Sequence, residues 1–159
     1  RYNTMEGLEM KKAIVVYDTK FGNTEKIGKV LAEGMKAQGV EVDCVKVGEV
    51  EINKLNEYDL LVIGGPTQGF GISKPMKDFL DKLESAEISG KKAFAFDTKL
   101  KSRFAGSAGK GIEKRLKELQ MSIVRPHASA IVKGAEGPLE EGMEETFKEI
   151  AGEIAKSTQ

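Results

Sequence analysis

Residues 13–39 read AIVVYDTKFGNTEKIGKVLAEGMKAQG, and the fold prediction starts from this stretch. Its first five residues are apolar and mostly β-branched without polar alternation, which is typical of a strand covered on both faces in a parallel sheet. Residues 24–38 then follow the i, i+3, i+4, i+7 spacing of a one-faced helix, with apolar or small side chains at Ile27, Val30, Leu31, Gly34 and Met35. Gly39 ends this pattern. A buried strand followed by a polar loop and a helix predicts an α/β unit.

The rest of the chain repeats this alternation. Further strands are predicted at residues 40–47, 60–63 and 93–96 and within 122–132, and further helices at 75–84, 112–119 and 143–154. Pro126 favours an edge position for the last strand, because proline cannot donate to a sheet ladder. Five strands, most of them leading to a helix, predict a doubly wound α/β fold in which a five-stranded parallel sheet carries helices on both faces.

The composition is that of one globular domain. The chain has 159 residues, of which 31% are charged and 40% hydrophobic. Residues 1–10 are polar and without period, so we expect an N-terminal extension or a cloning remnant there and the folded domain at residues 11–159. Lys plus Arg equals Asp plus Glu at 25 each, which gives no overall attraction to nucleic acid or membrane.

Two further classes of protein are excluded by composition. No apolar run approaches the roughly 20 residues that cross a bilayer. Cys44 is the single cysteine, which rules out an intramolecular disulfide and a thiolate metal cluster. We therefore expect a cytoplasmic protein without membrane insertion and without a metal site.

Three polar segments follow the predicted carboxyl ends of strands, where doubly wound sheets bind their ligands. They are residues 18–24 (the first loop), 64–74 (the second loop) and 97–111 (the third loop), all rich in Gly, Ser, Thr or Asn. The turns at the opposite end, near Gly39, Gly90 and Gln120, are shorter. Function is therefore predicted on the three loops.

The first loop has the chemistry of a phosphate site. It leads into a helix N-terminus, which offers unpaired N–H groups and about half a positive charge. The hydroxyls of Thr19 and Thr24 and the Asn23 amide add neutral donors, while Gly22 lets the backbone close around an anion. The alternative is that Asn23 or Thr24 merely caps the helix, which would explain one residue but not the loop. The loop matches neither a Walker P-loop nor the G-x-G-x-x-G dinucleotide pattern.

These loops resemble those of a known family. Residues 19–25, TKFGNTE, resemble the flavodoxin phosphate signature T/S-x-x-G-N-T-E; residues 64–67, GGPT, resemble the start of the second flavin loop; and residues 105–109, AGSAG, resemble the end of the third. The match runs in order from about residue 11 to 156. It is of the short-chain type, because the segment that long-chain flavodoxins insert in the last strand is absent, and the first two loops are closer still to the flavodoxin domains of flavodiiron proteins.

The resemblance implies a sheet of order 2-1-3-4-5 and a non-covalently bound FMN. It implies a one-electron carrier that shuttles electrons between redox proteins, with no catalytic residue of its own. The phosphate would lie on Thr19, Lys20, Phe21, Gly22, Asn23 and Thr24. The flavin ring would lie between the second and third loops, near Pro66, Thr67, Gln68, Gly69, Phe70, Gly71, Asp97, Thr98, Phe104, Ala105 and Gly106.

The aromatic residues depart from the family pattern. Many flavodoxins hold the ring between a Trp and a Tyr, but this chain has no Trp and its three Tyr residues lie outside the loops. Phe70 either stacks on the ring or closes the second loop as an apolar pin. Phe104 either stacks or packs into the core, and its alignment with the family favours the core. His127, on the predicted edge strand, is expected far from the loops.

The alternative function is a small FMN-dependent NAD(P)H:quinone-type reductase. Such an enzyme needs a pocket over the ring and usually an oligomer to wall it, and the chain lacks long loops that would build one.

The charge of the three loops indicates the kind of partner. Six cations in and beside the loops outnumber Asp18 and Asp97 by four, which predicts redox partners with acidic docking surfaces; the cations are Lys20, Lys74, Lys99, Lys101, Arg103 and Lys110. We separately expect a monomer or weak dimer.

Overall fold

The computed structural model describes residues 11–158, so the expected N-terminal extension at residues 1–10 lies outside the described residues. The strands are β1 (Lys12–Tyr17), β2 (Glu41–Lys46), β3 (Leu60–Gln68), β4 (Gly71–Ile72), β5 (Lys92–Leu100), β6 (Ser122–Ile123) and β7 (Ala128–Val132). The helices are α1 (Asn23–Lys36), α2 (Lys74–Lys82), α3 (Ala108–Glu118) and α4 (Met143–Lys156). Four short 3-10 turns lie at Val47–Glu49, Ile52–Glu57, Leu83–Ser85 and Arg103–Ala105.

The sheet confirms the predicted doubly wound fold. Its parallel strands run in the order β2-β1-β3-β5, and β6 and β7 both pair with β5 on its far side. The predicted fifth strand is thus present as two pieces at the edge of the sheet, interrupted at residues 124–127 around Pro126, which cannot donate to the ladder. The short β4 pairs antiparallel with the end of β3 and makes a hairpin of the second loop.

Helices cover both faces of the sheet. On one face, α1 and α4 pack on Ala13, Val15 and Tyr17 of β1. On the other face, α2 and α3 pack over Ile14 and Val16. β1 therefore alternates between two cores, which explains its unbroken apolar sequence. Among the described helices, none is both long and apolar enough to cross a membrane.

Two strands run further than the apolar pattern predicted. The strands expected at 60–63 and 93–96 continue to Gln68 and Leu100, so that Gly64 pairs with Phe96 and Pro66 with Thr98. These polar ends were predicted to be loop, yet Asp97 and Thr98 are buried and make side-chain hydrogen bonds to other elements. Gly64 belongs to the packing, because a Cβ there would lie 2.3 Å from the Phe96 ring. Gly64 and the polar residues that follow therefore extend β3 and β5 toward the edge of the sheet where the three loops lie.

Candidate functional site

The three predicted loops meet at one cavity of about 370 Å³ at the carboxyl ends of the strands. It lies where the order of strands reverses between β1 and β3, as the topology requires. Ten of its lining residues were predicted from sequence: Thr19, Lys20, Phe21, Asn23, Thr24, Pro66, Thr67, Gln68, Gly69 and Thr98. Four others were not assigned to the cofactor: Lys99, Leu100, Val132 and Ala135.

The first loop leaves the N-terminus of α1 open to a ligand. Gly22 precedes the helix with φ 93° and ψ −6°, a left-handed conformation that suits glycine, and no side chain caps the helix by a hydrogen bond. The Gly22 N–H instead donates to Thr19 Oγ1 at 3.0 Å. The alternative that Asn23 or Thr24 serves as a helix cap is therefore wrong. The first-turn N–H groups of α1 keep the capacity to bind an anion.

Thr24 is tied to β5 beneath the cavity. Its Oγ1 lies 2.8 Å from Thr98 Oγ1, and the two residues are 1% and 5% exposed. A hydroxyl that accepts from one neighbour still donates to another. Thr24 can therefore accept from Thr98 and direct its own proton toward an anion held by the first loop.

Asp97 lies beneath the cavity rather than in its lining. Its Oδ2 accepts from Ser107 Oγ at 2.6 Å and from the Gly109 N–H at 2.8 Å. Thr67 Oγ1 lies 3.4 Å from the same oxygen and accepts from the Ala108 N–H at 3.0 Å. Side chains from β3 and β5 thus occupy the N-terminus of α3 and fix the third loop to the second. Asp97 Oδ1 is buried and has no hydrogen-bond partner among the described residues.

The second and third loops touch through their backbones. Gly106 has φ 76°, and a Cβ added there would lie 2.0 Å from the Phe70 carbonyl oxygen. Phe70 itself has φ 70°, which is unusual for a residue other than glycine. Besides Asp97, the predicted ring contacts that do not line the cavity are Phe70, Gly71, Phe104, Ala105 and Gly106. The contact between Gly106 and Phe70 joins the two loops that carry them.

Both loop phenylalanines face solvent. Phe70 is 75% exposed and Phe104 is 74% exposed, so the predicted core position of Phe104 is wrong, and Phe70 does not pack as a pin. The Phe104 N–H donates to Ser102 Oγ at 3.1 Å within the turn Arg103–Ala105, which directs the ring outward. The Arg103 guanidinium lies 4.9 Å from the centre of that ring.

A fourth segment, residues 133–138 (the fourth loop), was missed from sequence. It follows β7 at the same edge of the sheet, and its Ala135 lines the cavity. Asn23 Nδ2 donates to the Glu136 carbonyl oxygen at 3.2 Å. The sequence did contain a sign of this loop, because residues 133–138, KGAEGP, place two glycines directly after a predicted strand. The strand within residues 122–132 was predicted, but the loop that follows it was not assigned to the site.

His127 is closer to the site than expected. Its Cδ2 lies 3.2 Å from where a Cβ on Gly109 would stand, in the first turn of α3. Its backbone N–H donates to Glu113 Oε1 at 2.8 Å. The interruption between β6 and β7 brings the residue inward, but its ring does not line the cavity.

The last residue of the TKFGNTE motif has a structural partner. Tyr17 Oη donates to Glu25 Oε2 at 2.7 Å and ties the first turn of α1 to the end of β1. This hydrogen bond holds the pKa of Glu25 below its usual value. Burial, with Glu25 adding to it, raises the pKa of Tyr17. Glu25 is therefore ionised and Tyr17 neutral at neutral pH.

The rim of the site carries free positive charge. Lys74 is paired with Asp78 at 3.2 Å, and Asp18 accepts from Ser73 Oγ at 2.6 Å. Within residues 11–158, no carboxylate lies within 4.0 Å of the cationic groups of Lys20, Lys99, Lys101 or Arg103. In the same part of the chain, no group of three or more His, Cys, Asp or Glu side chains is placed to hold a metal ion.

Comparison with known sequences places the chain in one family. The family model described as Flavodoxin matches residues 15–150. A flavodoxin of Aquifex aeolicus (strain VF5) is 38% identical over 93 residues, which make up 56% of this chain and 50% of that protein. The chain spans about half the length of the curated relatives that it matches.

Solved structures share the fold. Oxidised Flavodoxin 1 from Bacillus cereus superposes with a TM-score of 0.82 at 22% identity, over 94% of this chain and 100% of that one. The flavodiiron core Flv1 from Synechocystis sp. PCC6803 superposes with a TM-score of 0.77 at 16% identity, over 93% of this chain and 36% of that one. The same fold thus occurs both as a whole protein and as one part of a larger chain.

Proposed function

Because the chain belongs to the flavodoxin family, as its loops suggested, we propose that it binds FMN and carries single electrons between redox proteins. The observation that carries the proposal is the first loop, whose open helix N-terminus and hydroxyl donors face a cavity shared with the second loop and β5. The proposal extends to a cytoplasmic setting, which suits a chain with a single cysteine.

The donor set of the site fits the phosphate end of FMN. The N–H groups of α1 and the hydroxyls of Thr19 and Thr24 are neutral donors, which hold an anion without a paired cation. The residues that line the cavity at this end therefore offer neutral donors to an anion.

The ring end of the cofactor would lie beside the second and third loops. We assign Pro66, Thr67, Gln68 and Gly69 to it on one side and Thr98 on the other, with Phe70 and Gly106 at the rim. Bound FMN supplies the redox chemistry, because its ring accepts and returns electrons. The residues of the chain hold and orient the cofactor, and the contact between Gly106 and Phe70 fixes the spacing of the two loops.

The partners that we propose are redox proteins with acidic docking surfaces. Among the described residues, the exposed large hydrophobic side chains are Phe21, Phe70, Leu100 and Phe104. Phe21 and Leu100 line the cavity, and Phe70 and Phe104 belong to the second and third loops. Cations accompany two of them, with Lys20 5.4 Å from the centre of the Phe21 ring and Arg103 stacked on Phe104. An apolar contact ringed by positive charge is complementary to an acidic protein surface and would steer its approach.

The visible absorption spectrum of the purified protein tests the cofactor. We expect flavin bands from the protein as isolated or after incubation with FMN, and one-electron exchange with redox proteins. Steady-state oxidation of NAD(P)H with quinones tests the alternative reductase. Rapid turnover in that assay would favour the enzyme, and the absence of any flavin binding would contradict both functions.

A further inference from the structure

We infer that the fourth loop is a wall of the cofactor cavity that selects a flavin ending in a phosphate monoester over one whose chain continues beyond the phosphate. The inference rests on the proposed FMN site and adds the determinant of its ligand specificity. FMN ends in such a monoester, whereas FAD continues through a second phosphate to adenosine. Asn23 is the positioning residue that holds the wall.

The fourth loop is built to keep its position. The Lys133 N–H donates to the Pro138 carbonyl oxygen and the Gly137 N–H donates to the Gly134 carbonyl oxygen, both at 2.9 Å. Val132 precedes the loop, lines the cavity and pairs with Leu100 of β5. The loop therefore extends from a strand of the sheet and closes on its own backbone hydrogen bonds.

A contact between Asn23 and the fourth loop joins this wall to the phosphate end of the cavity. Besides the hydrogen bond from Asn23 Nδ2 to Glu136, the Asn23 Oδ1 atom lies 2.8 Å from where a Cβ on Gly137 would stand. Gly137 has φ 103°, so only glycine fits both the backbone conformation and the close approach. Since Asn23 begins α1, the contact lies at the helix N-terminus where the phosphate is expected.

This placement separates three related ligands. FMN fills the anion site and ends there. The chain of FAD continues past the phosphate, and the backbone of Glu136 and Gly137 is in its way, so that FAD has to break the Asn23 contact. Riboflavin has no phosphate, so the fourth loop should not affect its affinity. The FMN-to-FAD affinity ratio therefore reports how strongly the fourth loop obstructs a chain beyond the phosphate. The affinity for riboflavin reports the contacts that the rest of the cavity makes with the flavin.

Gly137→Ala tests the wall directly. Dissociation constants for FMN, FAD and riboflavin are measured by quenching of flavin fluorescence. We expect the wild type to prefer FMN over FAD at least tenfold. In Gly137→Ala that preference should narrow at least threefold, with FMN weakened about two- to tenfold through the lost Asn23 hydrogen bond and riboflavin unchanged. Gly142→Ala is the matched control, because Gly142 also has a positive φ of 87° but nothing within 4 Å of an added Cβ.

Asn23→Ala is the second variant and adds no backbone strain. It removes the hydrogen bond from the Asn23 amide to Glu136 and so releases the fourth loop, and the FMN-to-FAD affinity ratio should narrow as in Gly137→Ala while riboflavin affinity stays unchanged. If Gly137→Ala fails to fold, as judged by circular dichroism, Asn23→Ala decides alone. Equal affinities for FMN and FAD in the wild type, or an unchanged ratio in the folded variants, would overturn the inference. Failure of all three flavins to bind would instead overturn the proposed function.

Discussion

At the scale of single residues, the site depends on hydroxyl groups that serve two neighbours. Thr24 Oγ1 and Thr98 Oγ1 share one buried hydrogen bond, and when Thr98 donates it the Thr24 proton is left for a ligand. Thr67 accepts from the Ala108 N–H and donates toward Asp97. These contacts fix the Thr24 and Thr67 side chains before any ligand arrives, so binding has less ordering entropy to overcome.

Thr24→Ala should weaken FMN binding about 10- to 100-fold. The substitution removes a hydrogen bond to a charged group, worth roughly 1.5–3 kcal/mol. Thr98→Val keeps the Thr24 hydroxyl but removes its buried partner, so we expect a smaller loss, below about tenfold. Titration with FMN and thermal unfolding of the cofactor-free proteins separate affinity from stability. Wild-type affinity in Thr24→Ala would remove Thr24 from the phosphate site.

Phe70→Ala should weaken FMN binding and raise the residual fluorescence of the bound flavin, if Phe70 stacks on the ring. The ring is 75% exposed in this structure, so little protein packing is lost on its removal. A stacked aromatic pair is worth about 0.5–1.5 kcal/mol, which corresponds to roughly two- to tenfold in affinity. Phe104→Ala removes an equally exposed loop aromatic and tests the other candidate for stacking. The same affinity and emission as wild type would show that Phe70 makes no contact with the flavin.

At the scale of elements, the second and third loops behave as one unit. The end of β3, the hairpin to β4 and the N-terminus of α3 are joined by the Asp97 hydrogen bonds and by two close approaches of glycine. Gly106 lies against the Phe70 backbone, and a Cβ on Gly111 would stand 2.9 Å from Ile72. A displacement of one loop must therefore be transmitted to the other.

Gly106→Ala should separate these loops and weaken FMN binding more than tenfold. The new Cβ would stand 2.0 Å from the Phe70 carbonyl oxygen, which is backbone and cannot rotate away. Gly90→Ala is the matched control, since Gly90 has φ 84° at the opposite edge of the sheet with nothing within 4 Å of an added Cβ. Both variants carry the strain of alanine at positive φ, about 1 kcal/mol or more. Equal FMN affinity in the two would argue against coupled loops.

At the scale of the whole molecule, the apolar periodicity of the sequence predicted a sheet with helices on both faces. The polar composition of the loops predicted that the cavity lies at the carboxyl ends of the strands. Ile14 and Val16 pack on one face of the sheet and Val15 on the other, so their unbroken apolar run was a direct sign of a buried parallel strand. Asp97 and Thr98 were assigned to a loop because polarity suggested exposure, whereas hydrogen bonds between elements bury them. The position of the fourth loop at the cavity depends on contacts between distant segments, such as the hydrogen bond from Asn23 to Glu136. A single sequence does not display such contacts.

The distribution of charge over the whole chain leads to a prediction about redox potential. Its net charge is zero, yet within residues 11–158 no carboxylate pairs with Lys99, Lys101 or Arg103 of the third loop. Positive charge near a flavin favours its anionic reduced form, so we expect the second one-electron reduction to occur at a less negative potential than in flavodoxins with acidic rims. One charge at about 8 Å in an effective dielectric near 40 contributes about 1 kcal/mol, or about 40 mV, before screening by salt.

Replacing these three residues by Gln should therefore lower the potential of the second reduction by tens of millivolts at low salt. The control is a triple Gln variant of Lys36, Lys82 and Lys156, which changes net charge equally but lies in the last turns of α1, α2 and α4 at the opposite edge of the sheet. Potentiometric titration at low and high salt compares the two. Because a Debye length is about 8–10 Å at physiological salt, the remote variant should stay near the wild-type potential, and the difference should shrink as salt rises. Equal potentials in the two variants would show that solvent screens Lys99, Lys101 and Arg103 and that these cations do not affect the potential of the second reduction.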